Sequence, residues 1–154
     1  MVRTQISLFG ILILAVFLDT VVIPGLWSRL RIDLLIGMII GVIIHLSFSQ
    51  GLIFIMIASL ILQAFSGARP GFVPLIYLFV FFAIDMLKHV IYMENVLTQL
   101  FLALAFNMLM VAVVSISMDM VLGPPEIWAL SAGSILTGLL SPLMVYMVAY
   151  LKGA

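Results

Sequence analysis

The sequence predicts an all-α, polytopic integral membrane protein: six transmembrane helices forming one domain over residues 1–154, the third short enough to be re-entrant. Three observations predict it. Apolar residues make up 66% of the 154 residues and charged residues 8%, against roughly 25% charged in a soluble domain. So few charges cannot clothe a water-facing core of this size, so lipid must be the solvent. The apolar residues also fall into runs near the roughly 20 that cross a bilayer, and the links between the runs leave no room for a soluble domain.

The first run, from about Ile6 to Ile23, stops at Pro24-Gly25. Its start, "MVRTQISLFGILILAVF", has the charge and greasiness of a secretion signal, but no small-x-small cleavage site follows, so it reads as a retained span. "LWSRLR" leads to the second run, Ile32 to Phe48, and "SFSQG" separates that from the third, Leu52 to Phe65. The fourth covers Phe72 to Lys88 and the fifth Leu97 to Ile116. "MDMVLGPPE" is the longest aperiodic link, and the sixth run spans Ile127 to Leu151, with Pro142 expected to kink it. The stretch "LILQAFSGARPGFVPLIY" reads as a helical hairpin: Ser66-Gly67 ends one helix, Arg69 sits at the tip, and Pro70 and Pro74 suit the first turn of the next.

Charge excludes several functions. Six Lys and Arg balance six Asp and Glu, so no basic footprint for nucleic acid exists. With no cysteine, disulfides, thiolate nucleophiles and cysteine-ligated metals are absent. His45 and His89 stand on different spans without a carboxylate at ligand spacing, which points to no metal site. No phosphate-binding loop, nucleophile elbow or metalloprotease motif occurs, so the chain is expected to be no enzyme and to need no cofactor. The positive-inside rule leaves orientation open: Arg3, Lys88 and Lys152 fall on one side, Arg29, Arg31 and Arg69 on the other. Trp27 and Trp128 share one face, Tyr92 and Tyr150 the other, as aromatic belts would.

The intramembrane polar residues are the candidate contacts. Asp19 lies inside the first span, with the arginines Arg29, Arg31 and Arg69 available on its face as ion-pair partners; direct contact with water near the interface is the alternative. Asp33 begins the second span, where the helix dipole favours an acid. Gln63 either faces headgroups or bonds across a helix contact. Asn107 is the most deeply placed polar side chain and reads as interhelical glue, or else as a ligand contact. Asp85, Lys88 and His89 share one helix face and read as a local ion pair; a proton relay there lacks a matching acid in a neighbouring span. Small residues at i, i+4, which let helices approach closely, mark a helix-packing or partner interface at Gly37 and Gly41, and again at Gly133 and Gly138, spaced after Ala129 and Ser134. The eleven methionines are scattered and read as packing.

With spans and turns placed, the chain resembles the MreD family, small polytopic membrane subunits of the bacterial rod-shape (elongation) machinery. "LDTVVIPGLW" is similar to that family's first-helix ending. "IDLLIGMIIGVIIHLSFSQG" is similar to its second span, which opens on an aspartate and closes at a polar-glycine turn. "LILQAFSGARPGFVPLIYLFVFF" is similar to its acid-x-x-Ser-Gly turn and glycine-led fourth span. The likeness follows span order along the whole chain and is best over residues 1 to 95. Gln63 departs from the pattern, which tends to place an aspartate there, and Ile32 stands where a proline often precedes the acid.

The resemblance implies a non-enzymatic scaffold in the bacterial cytoplasmic membrane with both termini in the cytoplasm. Its partners would be lipid, a bitopic MreC-like scaffold and, through that, MreB filaments and cell-wall synthases. A second function class, the substrate-binding subunit of a vitamin-type uptake transporter, matches in length and helix number. It needs convergent polar groups in a cavity, for which only Asn107, Gln63 and His45 qualify in the sequence. The small-residue face expected on its first helix is also missing, since Gly10 and Ala15 are off one face. A channel or proton pathway would need aligned acids, and Asp19 and Asp85 fall toward opposite sides.

Overall fold

The computed structural model describes residues 2–26, 30–66, 69–117 and 123–153, with side chains from residue 6 onward. All secondary structure among the described residues is helical. Helix α1 (Val2–Phe17) runs through a π-helical turn (Leu18–Val22) into a last short turn, α2 (Ile23–Leu26). Then follow α3 (Leu34–His45), α4 (Phe48–Ser66), α5 (Phe72–Leu87), α6 (Val96–Ser117) and α7 (Pro124–Lys152).

Four helical stretches are long and apolar enough to cross a membrane: Ile6–Leu26, Phe48–Ser66, Val96–Ser117 and Pro124–Lys152. The other two apolar helices, α3 and α5, are shorter. The described fold is thus six apolar helices with four candidate spans, compatible with a multi-pass membrane protein.

The short element is not the one the sequence suggested. The third run forms a 19-residue helix because Phe48, Ser49, Gln50 and Gly51, expected as a turn, join α4; its first bond runs from the Gly51 N–H to the Ser47 carbonyl at 2.9 Å. The second run instead shrinks to the 12 residues of α3. Ile32 and Asp33 stay outside the helix, and Leu46 is extended (φ −109°, ψ 163°). Twelve residues rise about 18 Å, well under the roughly 30 Å of bilayer hydrocarbon.

A helix apolar on every side needs protein around it, and α3 has that. Every residue from Leu34 to Ile43 is buried, and α7, α6, α1, α5 and α4 all pack on it. Hairpins α4–α5 and α6–α7 flank this central rod. Large apolar side chains such as Ile13, Leu60, Phe79, Phe101 and Leu143 face outward from the surrounding helices.

The small residues act inside this bundle. A Cβ on Gly37 would lie 3.0 Å from the Ser141 Cα, and one on Gly41 3.1 Å from the Val145 Cα, so both glycines set the close approach of α3 and α7. A Cβ on Gly138 would lie 3.0 Å from the Leu100 carbonyl oxygen of α6, and one on Gly133 would strike the Arg31 carbonyl. All four glycines serve packing within the chain. Of the two readings the sequence left for them, helix packing or partner interface, packing is what they do here: α7, α6 and the segment before α3 cover them.

Pro142 sits inside α7, where it cannot donate to the Gly138 carbonyl four residues back. The Ser141 hydroxyl, 2.8 Å from that carbonyl and 3.1 Å from the Gln99 carbonyl of α6, supplies the missing donor.

Candidate functional site

The site forms where the chain enters α3. The extended segment 30–33 is non-helical backbone, yet it lies deep: the Arg31 carbonyl accepts from Asn107 Nδ2 at 3.4 Å, and Asn107 stands near the middle of α6. Irregular backbone at membrane depth is tolerated only where it is buried in protein or lines a wet cavity. Here several polar groups at the entry to α3 find partners on neighbouring helices. The Asp33 N–H donates to Thr137 Oγ1 at 3.0 Å, and the Leu34 N–H donates to Asp19 Oδ2 at 2.9 Å. Asn107 Nδ2 also reaches Ser134 Oγ at 3.1 Å.

Asp33 is the N-cap of α3. Its Oδ1 accepts from the N–H groups of Leu35 (3.0 Å) and Ile36 (3.3 Å), satisfying donors that the helix leaves orphaned. Its other oxygen, Oδ2, accepts from the buried Tyr77 hydroxyl at 2.5 Å. The sequence expectation of an acid favoured by the helix dipole therefore describes half of its role, and the clasp on α5 is the other half.

Asp19 comes from the π-helical turn, a distortion found often at functional sites. The turn carries its carboxylate to the same helix N-terminus that Asp33 caps. Among the described residues, Asp19 forms no ion pair with Arg31 or Arg69, and Arg29 lies outside them. Of the two readings the sequence left open, an arginine partner or direct contact with water, neither describes the bond seen, which comes from the backbone N–H of Leu34. Its second oxygen, Oδ1, is shielded from solvent and has no hydrogen-bond partner, which is rare enough for a buried oxygen to require a reason.

These groups line a cavity of ≈420 Å³, with Asp19, Arg31, Asp33, Ser66, Tyr77 and Asn107 as its polar wall and Leu62, Met110, Val111 and Val114 as its apolar one. A smaller space of ≈250 Å³ shares Arg31, Ser66, Tyr77 and the apolar residues Leu62, Met110 and Val114. Arg31 is exposed and Tyr77 buried on this shared lining.

Gln63 works beside the cavity. Its Oε1 accepts from the Val73 N–H at 3.1 Å, capping α5, whose own N-cap Gly71 (φ +83°) has no side chain to do so. The glutamine is an interhelical acceptor, a role that needs an oxygen and not a charge. Gln63→Leu is expected to destabilise the protein by about 1 kcal/mol and Gln63→Glu to be nearly neutral, as read from thermal unfolding in detergent. Arg69 is exposed at the hairpin tip, where its carbonyl accepts from the Phe72 N–H at 3.1 Å. Gly67, expected to end the preceding helix, lies outside the described residues.

Asp85 and Lys88 form an ion pair on one turn of α5, far from these residues in the chain, as the i, i+3 spacing indicates. Asp19 meets a second acid, Asp33, at the α3 N-terminus, a meeting the sequence reading did not make. Three further residues were missed: Tyr77, Thr137 and Ser134. A tyrosine in the middle of a span was a usable signal, because a phenol there needs a partner. Nothing in the sequence marked Thr137 or Ser134 beyond their small size.

Fold and site together define an apolar helical bundle with a buried polar junction at the entry to α3. Set against known proteins, the chain matches no family model, no curated protein and no solved structure.

Proposed function

We propose that the chain is a non-enzymatic scaffold of the MreD type, embedded by six crossings in a bacterial cytoplasmic membrane with both termini in the cytoplasm. In this reading it binds a bitopic MreC-like protein and so links MreB filaments to cell-wall synthases. The observation that carries it is where the mass lies: outward faces are apolar on all the surrounding helices, and among the described residues the stretches between helices are short, 30–33, 46–47, 69–71 and 88–95. In this reading binding uses the apolar outward surfaces of the helices. The span order and the three quoted stretches support the family. The polar junction fits the reading as a lock, because most of its donors and acceptors satisfy one another.

Because the Gly37/Gly41 face is covered by α7, a partner helix would meet outward positions instead, such as Phe101 and Leu139, both exposed. Depletion in the source cells tests the function: rod-shaped cells should round up, and in-membrane crosslinkers at Phe101 and Leu139 should retrieve a single-span protein. Cells that keep their shape reject it.

One observation favours the second reading, a substrate-binding subunit of a vitamin-type transporter. The cavity gathers more polar groups than the sequence promised, Asp19, Asp33 and Tyr77 joining Asn107, and its volume falls within the roughly 300–1,000 Å³ of small-molecule pockets. Saturable vitamin binding by the purified chain, with cell shape unaffected by depletion, would select it.

A further inference from the structure

Helices α5 and α6 both pack on α3, but no extended packing joins them to each other, nor α4 to α6. The smaller cavity lies in the gap so left, lined by Leu62 of α4, Val73 and Ile76 of α5, and Met110 and Val114 of α6. Leu62, Tyr77, Met110 and Val114 also line the larger cavity, so the two spaces adjoin and lead inward to Asn107. Asn107 is 2% exposed and stands midway along α6. Its Nδ2 hydrogens go to the Arg31 carbonyl and to Ser134 Oγ. The amide cannot be turned the other way, because an oxygen would then face the Arg31 carbonyl. Its Oδ1 has no hydrogen-bond partner among the described residues, yet is not shielded from solvent as Asp19 Oδ1 is. The opening left to this oxygen is the cavity that Asn107 lines.

The Tyr77 hydroxyl, on the same lining, gives its proton to Asp33. Asn107 and Tyr77 therefore present acceptors to the cavity with their own donors spent, so a ligand reaching them must donate. Depth selects the kind of donor. A charged head is costly to bring to the middle of a span, whereas a hydroxyl loses only hydrogen bonds that an acceptor can restore. The apolar walls suit hydrocarbon, and a gap between lipid-facing helices is reached from the bilayer. A partner helix does not fit: it is about 10 Å wide, and even a sphere of that width takes up about 500 Å³, against ≈250 Å³ in the gap.

We propose that the gap between α5 and α6 admits a neutral, hydroxyl-bearing membrane lipid of the diacylglycerol kind. Its hydroxyl donates to Asn107 Oδ1, and its hydrocarbon lies against Leu62, Met110 and Val114. The inference rests on the cavity and not on the scaffold reading, so cells that keep their shape on depletion leave it standing.

The test is native mass spectrometry of the full chain in detergent, titrated with 1,2-dioleoylglycerol or with its 3-O-methyl ether, which keeps both chains and loses the donor. The free hydroxyl should bind about fivefold tighter than the ether, and Asn107→Leu should abolish that preference. Val114→Phe, which fills the apolar gap, should weaken both lipids about equally. Should Asn107→Leu not fold, the comparison of the two lipids on the native chain and on Val114→Phe carries the test. Equal binding of the two lipids, or binding of neither because the cavity holds only water, overturns the proposal. So does a preference retained by Asn107→Leu, or binding unmoved by Val114→Phe, which would place the lipid on the outer surface.

Discussion

Gly133→Ala is expected to be the most damaging conservative change in the chain. A Cβ at this position would strike the Arg31 carbonyl oxygen and lie 2.9 Å from its carbon and 3.1 Å from the Arg31 nitrogen. These are backbone atoms, so no side chain can swing away. The extended segment 30–33 would have to rise off α7, and with it the bonds from Asp33 to Thr137 and from Asn107 to Arg31. Overpacking of this kind costs about 1–3 kcal/mol before the lost hydrogen bonds, about 1 kcal/mol each, are added. Gly10→Ala is the control, because nothing lies within 4 Å of its Cβ and the position is helical; it should be neutral or stabilising by up to about 1 kcal/mol. Melting of both variants in the same detergent measures the difference.

Asp33→Ala should follow closely. It uncaps α3, a loss of about 0.5–2 kcal/mol, and leaves the Tyr77 hydroxyl buried without its acceptor, a further loss of about 1–3 kcal/mol. Asp33→Asn keeps an oxygen for the Leu35 and Ile36 N–H groups and should lose less. The second loss has a diagnostic sign. Tyr77→Phe should destabilise the native chain, yet in the Asp33→Ala background it should cost little or nothing further, since it removes the orphaned hydroxyl. Additive losses in that double-mutant cycle would mean that the two side chains do not act as a pair.

Particular residues explain what the sequence disclosed. Apolar runs near 20 residues sufficed to place α1, α6 and α7, because lipid-facing helices must be long and greasy whatever surrounds them; the start of α4 was missed, since Phe48 to Gly51 read as a turn. The Asp85–Lys88 pair was readable because i, i+3 spacing on a helix fixes the neighbours. The α3 boundary was not readable: Ile32, Asp33 and Leu46 to Phe48 are as compatible with a long span as with a broken one. What shortens the helix is tertiary, namely the Thr137 hydroxyl, the Tyr77 phenol and the gap over Gly133, contributed by elements 44 or more residues away. The meeting of Asp19 with Asp33 was hidden too, although they are only 14 residues apart in the chain. Sequence spacing located each acid on its own span, but only the π-helical turn at Leu18–Val22 and the descent of segment 30–33 bring both to one helix end. The sequence left Gln63 open between headgroups and a helix contact, and its acceptor role depended on Gly71 having no side chain to cap α5.

Cysteine accessibility in intact membranes tests most directly that an oil-embedded bundle encloses a polar cavity beside α3. The chain has no native cysteine, so single substitutions read cleanly, and thiols react as thiolates, which form in water and not in lipid. Ile13 faces outward from α1, 56% exposed, while Arg31 lines the cavity. A membrane-impermeant maleimide should label Arg31→Cys and leave Ile13→Cys untouched until detergent and denaturant are added. Labelling of Ile13→Cys in the intact membrane, or silence at Arg31→Cys, would contradict the structure described.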